Sequence, residues 1–301
     1  MTAKPRLHFE NREGETDFAI PRDFAENRRP GLSAMLRLKN EAQWIRPCMI
    51  SIRDVFDEIV VALQNSTDDT ERIVRDLGYD HVRIVQYPFD SFPNGPGHGD
   101  RPADSVHAKA YFYNWTLAQT TRQWVCKWDG DMVAMDWLGE RVRRRMKRAE
   151  VIRIFGVDLV GDPPIHVGER VFNGIEPRFF RVRPSRFYAM GPRTQYLRLP
   201  LRDRVSRRLK LQPTIPDPAF LHFKWAKSIE SATKAWPENW REMEVFQRLF
   251  KRAQPADVYR GEYPACLSDI AAMRDRALER QEEAGGGSSV DSSAAAAGGS
   301  V

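Results

Sequence analysis

Short apolar segments in the first third of the chain alternate with segments of helical periodicity. Residues 32–38, 57–63 and 82–87 are largely apolar, and the last two segments are rich in β-branched side chains, as strands are. Between them, residues 44–52 and 70–77 carry apolar side chains at helical spacing. Strands that alternate with helices form parallel sheets with right-handed crossovers. The sequence therefore predicts an α/β fold in which helices flank a mostly parallel central sheet.

Composition narrows the class of protein. The chain has 301 residues, 42% of them apolar, which is ordinary for a globular protein. Basic residues outnumber acidic ones by 47 to 41, which fits an anionic ligand, a nucleic acid or an acidic membrane surface. The three cysteines lie far apart, so we expect neither a disulfide framework nor a zinc site. Because no apolar run could cross a bilayer and no signal pattern begins the chain, we expect a cytoplasmic protein.

Two carboxylates follow a further strand-like segment at residues 124–128. Side chains at i and i+2 of an extended chain leave on the same side, so Asp129 and Asp131 would converge. Gly130 between them permits a tight backbone. Two anionic oxygen ligands repel each other unless a cation lies between them, and Mg²⁺ or Mn²⁺ held in this way keeps open positions for phosphate oxygens. The pattern predicts a metal and diphosphate site, although Asp-x-Asp also occurs in solvated turns.

The rest of the chain divides by composition. We expect one domain over residues 31–250, an extended arm over residues 1–30, a helical segment over residues 251–283 and a disordered tail over residues 284–301. Further patterns predict helices over 105–120, 135–148, 228–250 and 266–282, strands over 151–157, 178–182 and 220–225, and long loops over 88–104 and 158–215.

The predicted helix over residues 135–148 has a strongly basic face. This basic face could be an ordinary solvated surface or could make a peripheral contact with the inner face of the membrane, and the sequence leaves both interpretations open. Nucleic-acid binding is not expected, because aromatic side chains are not interleaved with the basic ones. The basic residues are Arg141, Arg143, Arg144, Arg145, Lys147 and Arg148.

Four of these segments, in this order, resemble the family 2 glycosyltransferases, which have the nucleotide-sugar-binding fold called GT-A. The similarity covers residues 31–135 well and the remainder loosely. The segments are residues 36–41 with Asn40 and Glu41, residues 57–70 with Asn65, the helix with Lys109 and Asn114, and Asp129-Gly130-Asp131.

The resemblance implies transfer of a sugar from a nucleoside diphosphate sugar to the hydroxyl of a glycan or lipid-linked acceptor, in surface-polysaccharide or glycolipid synthesis. It also implies a Mn²⁺ or Mg²⁺ cofactor. His222 occupies roughly the late position where many such enzymes bind the metal or the diphosphate, and the alternative is a structural histidine of the core. For Lys109 the alternative is an exposed lysine on a helix. The implied nucleotide-sugar-binding residues are Asn40, Glu41, Asn65, Lys109, Asn114 and Asp129, and the implied metal ligands are Asp129, Asp131 and His222.

Two departures from the family pattern leave questions open. Leu63 and Gln64 occupy the place of the usual aspartate that holds the nucleoside, so the identity of the donor's nucleobase is undefined. The catalytic base is also missing from its usual pattern, and Glu176 and Asp203 are the available candidates, each of which also reads as an ordinary surface carboxylate. A catalytically degenerate nucleotide-sugar scaffold is therefore the alternative function. A sugar nucleotidyltransferase is disfavoured, because no glycine-rich loop follows the first strand.

Overall fold

The computed structural model describes residues 7–91, 102–183, 187–190, 195–198, 212–226 and 255–286. Its helices are α1 (Ile45–Ile52), α2 (Thr70–Asp76), α3 (Lys109–Gln119), α4 (Leu138–Met146) and α5 (Ser268–Gly286), with 3₁₀ turns at Thr16–Phe18 and Ala265–Leu267. Its strands are β1 (Arg29–Leu38), β2 (Glu58–Leu63), β3 (Val82–Gln86), β4 (Arg122–Trp128), β5 (Met132–Ala134), β6 (Val151–Val160), β7 (His166–Arg181), β8 (Phe187–Met190), β9 (Gln195–Arg198), β10 (Phe220–Trp225) and β11 (Pro255–Val258).

Strands β3, β2, β1 and β4 form a parallel half-sheet in that order. Apolar side chains cover both of its faces. Leu36 and Trp128 lie in the core shared with α1 and α4, whereas Met35 and Val125 pack with Tyr113 of α3 on the other face. Because the strands are parallel, the carboxyl ends of β1, β2 and β4 meet at one edge of the sheet. The predicted α/β fold is confirmed.

The second half of the sheet is mixed rather than parallel. β7 is antiparallel to both β4 and β6, β10 is parallel to β6, and β5 and β11 pair in antiparallel fashion with β10 and β7. Only residues 161–165 connect β6 to β7, which is too short for a parallel crossover. The expectation of a long loop over residues 158–215 is therefore wrong for residues 166–177, which form β7 together with the start of the predicted strand over 178–182. Since β4 and β6 are both antiparallel to β7, their carboxyl ends lie at the same edge.

Segments on both sides of the predicted domain join this body. In the predicted arm, Ile20 is buried and the ring of Phe18 packs against Tyr87 and Trp115. After residue 250, β11 adds a strand to the main sheet before α5 begins. The predicted helix over residues 228–250 lies outside the described residues, as do residues 92–101 of the predicted loop and residues 287–301 of the predicted tail.

Candidate functional site

The candidate site lies at the edge of the sheet where β1, β4 and β6 end. Asp129 directly follows β4, and Asp131 lies in the turn before β5. The sequence predicts that these two carboxylates act as a pair. In the structure each has its own set of partners, and the two sets differ in charge.

Asp129 is surrounded by three basic side chains, which we call the cationic cluster: Arg37, Lys127 and Arg178. Its Oδ2 accepts a 2.8 Å hydrogen bond from Nη1 of Arg178 and lies 3.5 Å from Nζ of Lys127. Its Oδ1 lies 3.9 Å from Nη2 of Arg37. The three basic side chains are 5–10% exposed and Asp129 is 26% exposed. Burial alone would raise the pKa of Asp129, but Lys127, Arg178 and Arg37 lower it well below its ordinary value.

The strand register assembles the cationic cluster. Lys127 and Asp129 are two residues apart on an extended chain and so leave on the same side. Leu36 of β1 pairs with Trp128, which brings the next residue, Arg37, beside Asp129. The guanidinium of Arg37 lies 3.2 Å from the ring centroid of Tyr113 on α3, a cation–π contact that fixes it.

Lys109 and Asn114 belong to α3, which packs beside this cluster. Burial and the neighbouring charges of Arg37 and Lys127 lower the pKa of Lys109 well below its ordinary value, while Asp129 opposes them. The structure therefore brings Lys109 within electrostatic reach of Asp129. Asn114 is buried in the same helix.

Asp131 belongs to a second group, which we call the histidine cluster: Asp131, His222 and Asp158. Nε2 of His222 lies 3.2 Å from Oδ1 of Asp131, and its Nδ1 lies 2.6 Å from Oδ1 of Asp158. Strand pairing creates the group, because His222 of β10 is the register partner of both Asp158 on β6 and Met132 on β5. Burial alone would lower the pKa of His222, but Asp131 and Asp158 raise it to about 9.

The two clusters differ in their fitness for a divalent ion. Asp129 does not fit, since three cations already neutralise it. Asp131 and His222 do fit: neighbouring ligands of an octahedral ion at about 2.1 Å are about 3 Å apart, close to the 3.2 Å between Oδ1 and Nε2. Among the described residues no group of three or more His, Cys, Asp or Glu side chains is arranged as a complete metal site. Asp131 and His222 would supply two ligands, and Mg²⁺-type ions usually take their others from water and phosphate.

Gly130 is required for a different reason from the predicted one. It does not adopt a positive φ. A Cβ at this position would lie 2.6 Å from Cδ2 of Leu38 and 3.1 Å from Cγ of Glu41. The turn that separates Asp129 from Asp131 is therefore packed against the end of β1, which holds both clusters in fixed positions.

The predicted residues Asn40, Glu41 and Asn65 connect the loops after β1, β2 and β3. Oδ1 of Asn40 accepts a 2.8 Å hydrogen bond from the backbone of Thr67, and the backbone N–H of Glu41 donates a 2.8 Å bond to Oγ1 of Thr70. Nδ2 of Asn65 donates to the carbonyl of Pro88 at 2.9 Å. These contacts place all three residues at the same edge as Asp129.

The side chain of Gln64, at the position where the resemblance would have an aspartate, makes structural contacts. Its Nε2 donates a 3.0 Å hydrogen bond to the carbonyl of Phe89, and Oγ of Ser91 donates to its Oε1 at 3.1 Å. The side chain therefore fastens the start of the segment after β3.

Of the two candidate catalytic bases, the structure describes only one. Oε2 of Glu176 lies 3.2 Å from Nη2 of Arg178, which brings Glu176 to the border of the cationic cluster, and its side chain is 47% exposed. Asp203 lies outside the described residues.

Sequence reasoning missed Arg37, Lys127, Arg178 and Asp158. Two of them carried a signal: Arg37 and Lys127 are the single charged residues of the apolar segments 32–38 and 124–128. A charge in such a place needs a partner, because burial of an unpaired charge is costly. Asp158, by contrast, follows the predicted strand over 151–157, which already contains Arg153. Arg178 lies among other charged residues and gave no comparable signal.

The basic helix α4 uses several of its charges within the chain. Nη2 of Arg143 lies 3.0 Å from Oδ1 of Asp57, and Arg141 and Arg144 pair with Asp217 and Glu140. These pairs favour the reading of an ordinary solvated face. None of the described helices is both long and apolar enough to span a bilayer.

No protein-family model and no curated protein matches this chain. Among solved structures, it is similar to S. aureus TarS in complex with UDP-GlcNAc, with 15% identity over 86% of this chain and 76% of that chain and a TM-score of 0.43. S. aureus TarS with UDP is 16% identical over 43% of this chain and 35% of that chain, with a TM-score of 0.29. Glucosyl-3-phosphoglycerate synthase from Mycobacterium tuberculosis was solved with Mn²⁺, UDP-glucose and phosphoglyceric acid. It is 20% identical over 44% of this chain and 45% of that chain, with a TM-score of 0.31. In the last two cases this chain spans less than half of the other chain. Similarities at this level assign neither a family nor an activity to it.

Proposed function

We propose that this protein is a glycosyltransferase that moves a sugar from a nucleoside diphosphate donor to an acceptor hydroxyl, with Mn²⁺ or Mg²⁺ at Asp131 and His222. The observation that carries this proposal is the presence of two oppositely charged clusters at one edge of an α/β sheet. Ligands of such sheets bind at the carboxyl ends of the strands. A metal–diphosphate group presents a cation and an anion together, and so needs both kinds of surface.

The charges suit the departure of a diphosphate. Negative charge grows on the leaving group while the sugar becomes oxocarbenium-like, so the site must stabilise the diphosphate. The cationic cluster has three basic side chains against two carboxylates, Asp129 and Glu176. Lys109 lies beside it with a lowered pKa, and the negative charge of a bound diphosphate would favour its protonated form. A divalent ion bound at Asp131 and His222 would act as a Lewis acid on the diphosphate oxygens.

The remaining predicted residues keep their roles within this proposal. Asn40, Glu41, Asn65 and Asn114 would contact the nucleotide, since they lie in the loops and the helix next to the two clusters. Glu176 is the base candidate within the described part of the chain, and Asp203 is a second one. The acceptor is a glycan or a lipid-linked molecule, with peripheral contact to the membrane, and the whole proposal follows the family 2, GT-A pattern over residues 31–250.

The direct test is release of nucleoside diphosphate from a panel of UDP-, GDP- and dTDP-sugars, with Mn²⁺ and with EDTA. We expect release from one donor class, only with Mn²⁺, and loss of release in Asp131→Asn. Asp217→Asn is the matched control, because the exposed Asp217 pairs with Arg141 of α4 and with no member of either cluster among the described contacts. No release from any donor by the folded wild type would contradict the proposal.

The degenerate scaffold is a second candidate, favoured by one specific observation. The side chains of Gln64, Asp129 and Glu176 are all held by protein groups, so the residues that would bind the nucleoside or act as base are already engaged. Metal-dependent nucleotide binding without transfer to water or to any acceptor would identify this function.

A further inference from the structure

Asp158 is a largely but not fully buried carboxylate that the proposed reaction does not yet use. It lies in β6 between Val157 and Leu159, which are 3% and 0% exposed, and its own side chain is 15% exposed. A carboxylate in such a place is costly unless it is hydrogen-bonded. Its Oδ1 meets Nδ1 of His222 at 2.6 Å.

We infer that Asp158 is a positioning residue, which holds the imidazole of His222 so that Nε2 faces Asp131 at the proposed divalent-ion site. The inference rests on the proposed function for the identity of the ion. It adds a residue that touches neither the ion nor the substrate and acts only through His222.

The chemistry of the hydrogen bond defines the tautomer. An ionised carboxylate is only an acceptor, so Nδ1 of His222 must carry the proton that is shared with Asp158. In the neutral ring the lone pair is then on Nε2, the atom that faces Oδ1 of Asp131 at 3.2 Å. Metal-binding histidines generally have a carboxylate or carbonyl on their other nitrogen, which fixes the ring and raises its basicity.

The backbone makes this arrangement rigid. Asp158 and His222 are register partners on the neighbouring parallel strands β6 and β10. The backbone N–H of Phe223, next to His222, donates a 2.8 Å hydrogen bond to the carbonyl of Asp131. All three members of the histidine cluster are therefore fixed by hydrogen-bonded main chain, as a preorganised ligand set requires.

A purely structural role for Asp158, as a counter-charge inside the sheet, makes a different prediction. Such a residue would affect folding but not the affinity of the folded protein for an ion. The test therefore measures Mn²⁺ affinity by electron paramagnetic resonance of free Mn²⁺, without nucleotide and with UDP, in the full chain. The variants are Asp158→Ala, which removes the acceptor, and Asp158→Asn, whose amide oxygen keeps an acceptor without charge.

We expect Mn²⁺ affinity to fall by roughly 10- to 100-fold in Asp158→Ala and by less in Asp158→Asn, with no change in the surface control Asp217→Asn. A second readout is ¹⁵N NMR of His222 in the Mg²⁺-loaded protein, where the wild type should show the Nδ1–H tautomer and Asp158→Ala a mixture. Asp158→Asn keeps the side-chain shape and serves if Asp158→Ala does not fold.

The outcomes separate this inference from the proposed function. If Mn²⁺ binds and Asp158 variants weaken it while no sugar donor is turned over, the inference stands and the transferase proposal fails. If donor turnover is Mn²⁺-dependent but folded Asp158 variants keep wild-type Mn²⁺ affinity, the inference alone is overturned. A folded wild type that binds no Mn²⁺ with or without UDP overturns the inference as well.

Discussion

Asp129 and Asp131 are two residues apart in one turn, yet their surroundings are opposite. Asp129 meets two guanidinium groups and an ammonium group, whereas Asp131 meets a histidine whose other side faces a second carboxylate. The neighbouring strands cause this difference: β1 and β7 bring arginines to Asp129, and β10 brings His222 to Asp131. The spacing of two carboxylates therefore does not define a shared role, and the adjacent strands decide what each one does.

The difference has a functional meaning. The cationic cluster already neutralises its carboxylate and offers positive charge to an anion. The histidine cluster has two carboxylates around one imidazole, so it favours a positive species, either a proton on His222 or a metal ion. The proposed anion-binding and cation-binding surfaces thus lie next to each other across one glycine.

Loss of Arg178 should have the largest effect on folding. Arg178→Met removes the most buried cation from Asp129 and the donor to the backbone carbonyl of Lys127, and breaking a buried ion pair from one side costs about 3–5 kcal/mol. Urea unfolding of the variant measures the change. Arg183→Met is the control, because the half-exposed Arg183 pairs with Glu150 at the surface and its loss should cost less than about 1 kcal/mol. Equal losses in the two variants would mean that the cationic cluster is not a structural unit.

The pH dependence of stability should distinguish the clusters by sign. The pKa of His222 is raised to about 9, so its protonated form stabilises the metal-free fold. This stabilisation is fully present below about pH 6.5, the ordinary histidine pKa, and is lost as the pH rises through 9. The free energy of unfolding should fall by about 3 kcal/mol over this range. Asp129 has a lowered pKa, so its contribution is present above about pH 4 and is lost in acid.

Urea unfolding with EDTA between pH 6 and pH 10 measures the first of these effects. In His222→Gln the decline over this range should disappear while the acid branch remains. A wild-type stability that stays constant between pH 6.5 and 9 would contradict the arrangement of the histidine cluster.

Gly130 tests how firmly the two clusters are held relative to each other. A Cβ at this position would contact Leu38 and Glu41 too closely, so Gly130→Ala should cost about 1–3 kcal/mol as overpacking does. Gly139→Ala is the matched control, since its Cβ would lie 3.4 Å from Cα of Val55, an ordinary contact, in a helix that favours alanine. Comparable unfolding midpoints for both variants would show that the turn tolerates displacement.

Glu176 should have the smallest effect on stability. Its side chain is 47% exposed, so Glu176→Gln removes a screened partner of Arg178 and should cost less than about 1 kcal/mol in thermal unfolding. A larger loss in the free energy of unfolding would mean that Glu176 is a structural member of the cationic cluster, which would argue against its role as the catalytic base.

The parallel half of the sheet was predictable because its signals are local. Strands β1 to β3 show apolar runs between helical periods, and each pairs with a neighbour a short distance away along the chain. β7 was predicted only at its end, because glycines, Pro177 and charges interrupt the alternation between residues 166 and 177, and its partners are chosen by tertiary pairing.

The candidate site was predictable in its carboxylates but not in their partners. Asp129, Asp131 and His222 followed from the Asp-x-Asp pattern and from a family resemblance. The separation of the two carboxylates depends on the register of β1, β7 and β10 with the strands around them, and His222 is 91 residues away from Asp131 in sequence. Such pairing leaves no local pattern, although Lys127 inside a buried strand indicated that a partner was needed.

The measurement that tests this account most directly is calorimetric titration of UDP, GDP and dTDP into the wild type, with and without Mn²⁺. Asp131→Ala and Asp129→Asn are titrated in parallel. The account predicts that one nucleotide binds only with Mn²⁺, that Asp131→Ala abolishes this binding, and that folded Asp129→Asn keeps its Mn²⁺ dependence. Binding of no nucleotide under either condition, or binding that is indifferent to both Mn²⁺ and Asp131, would contradict it.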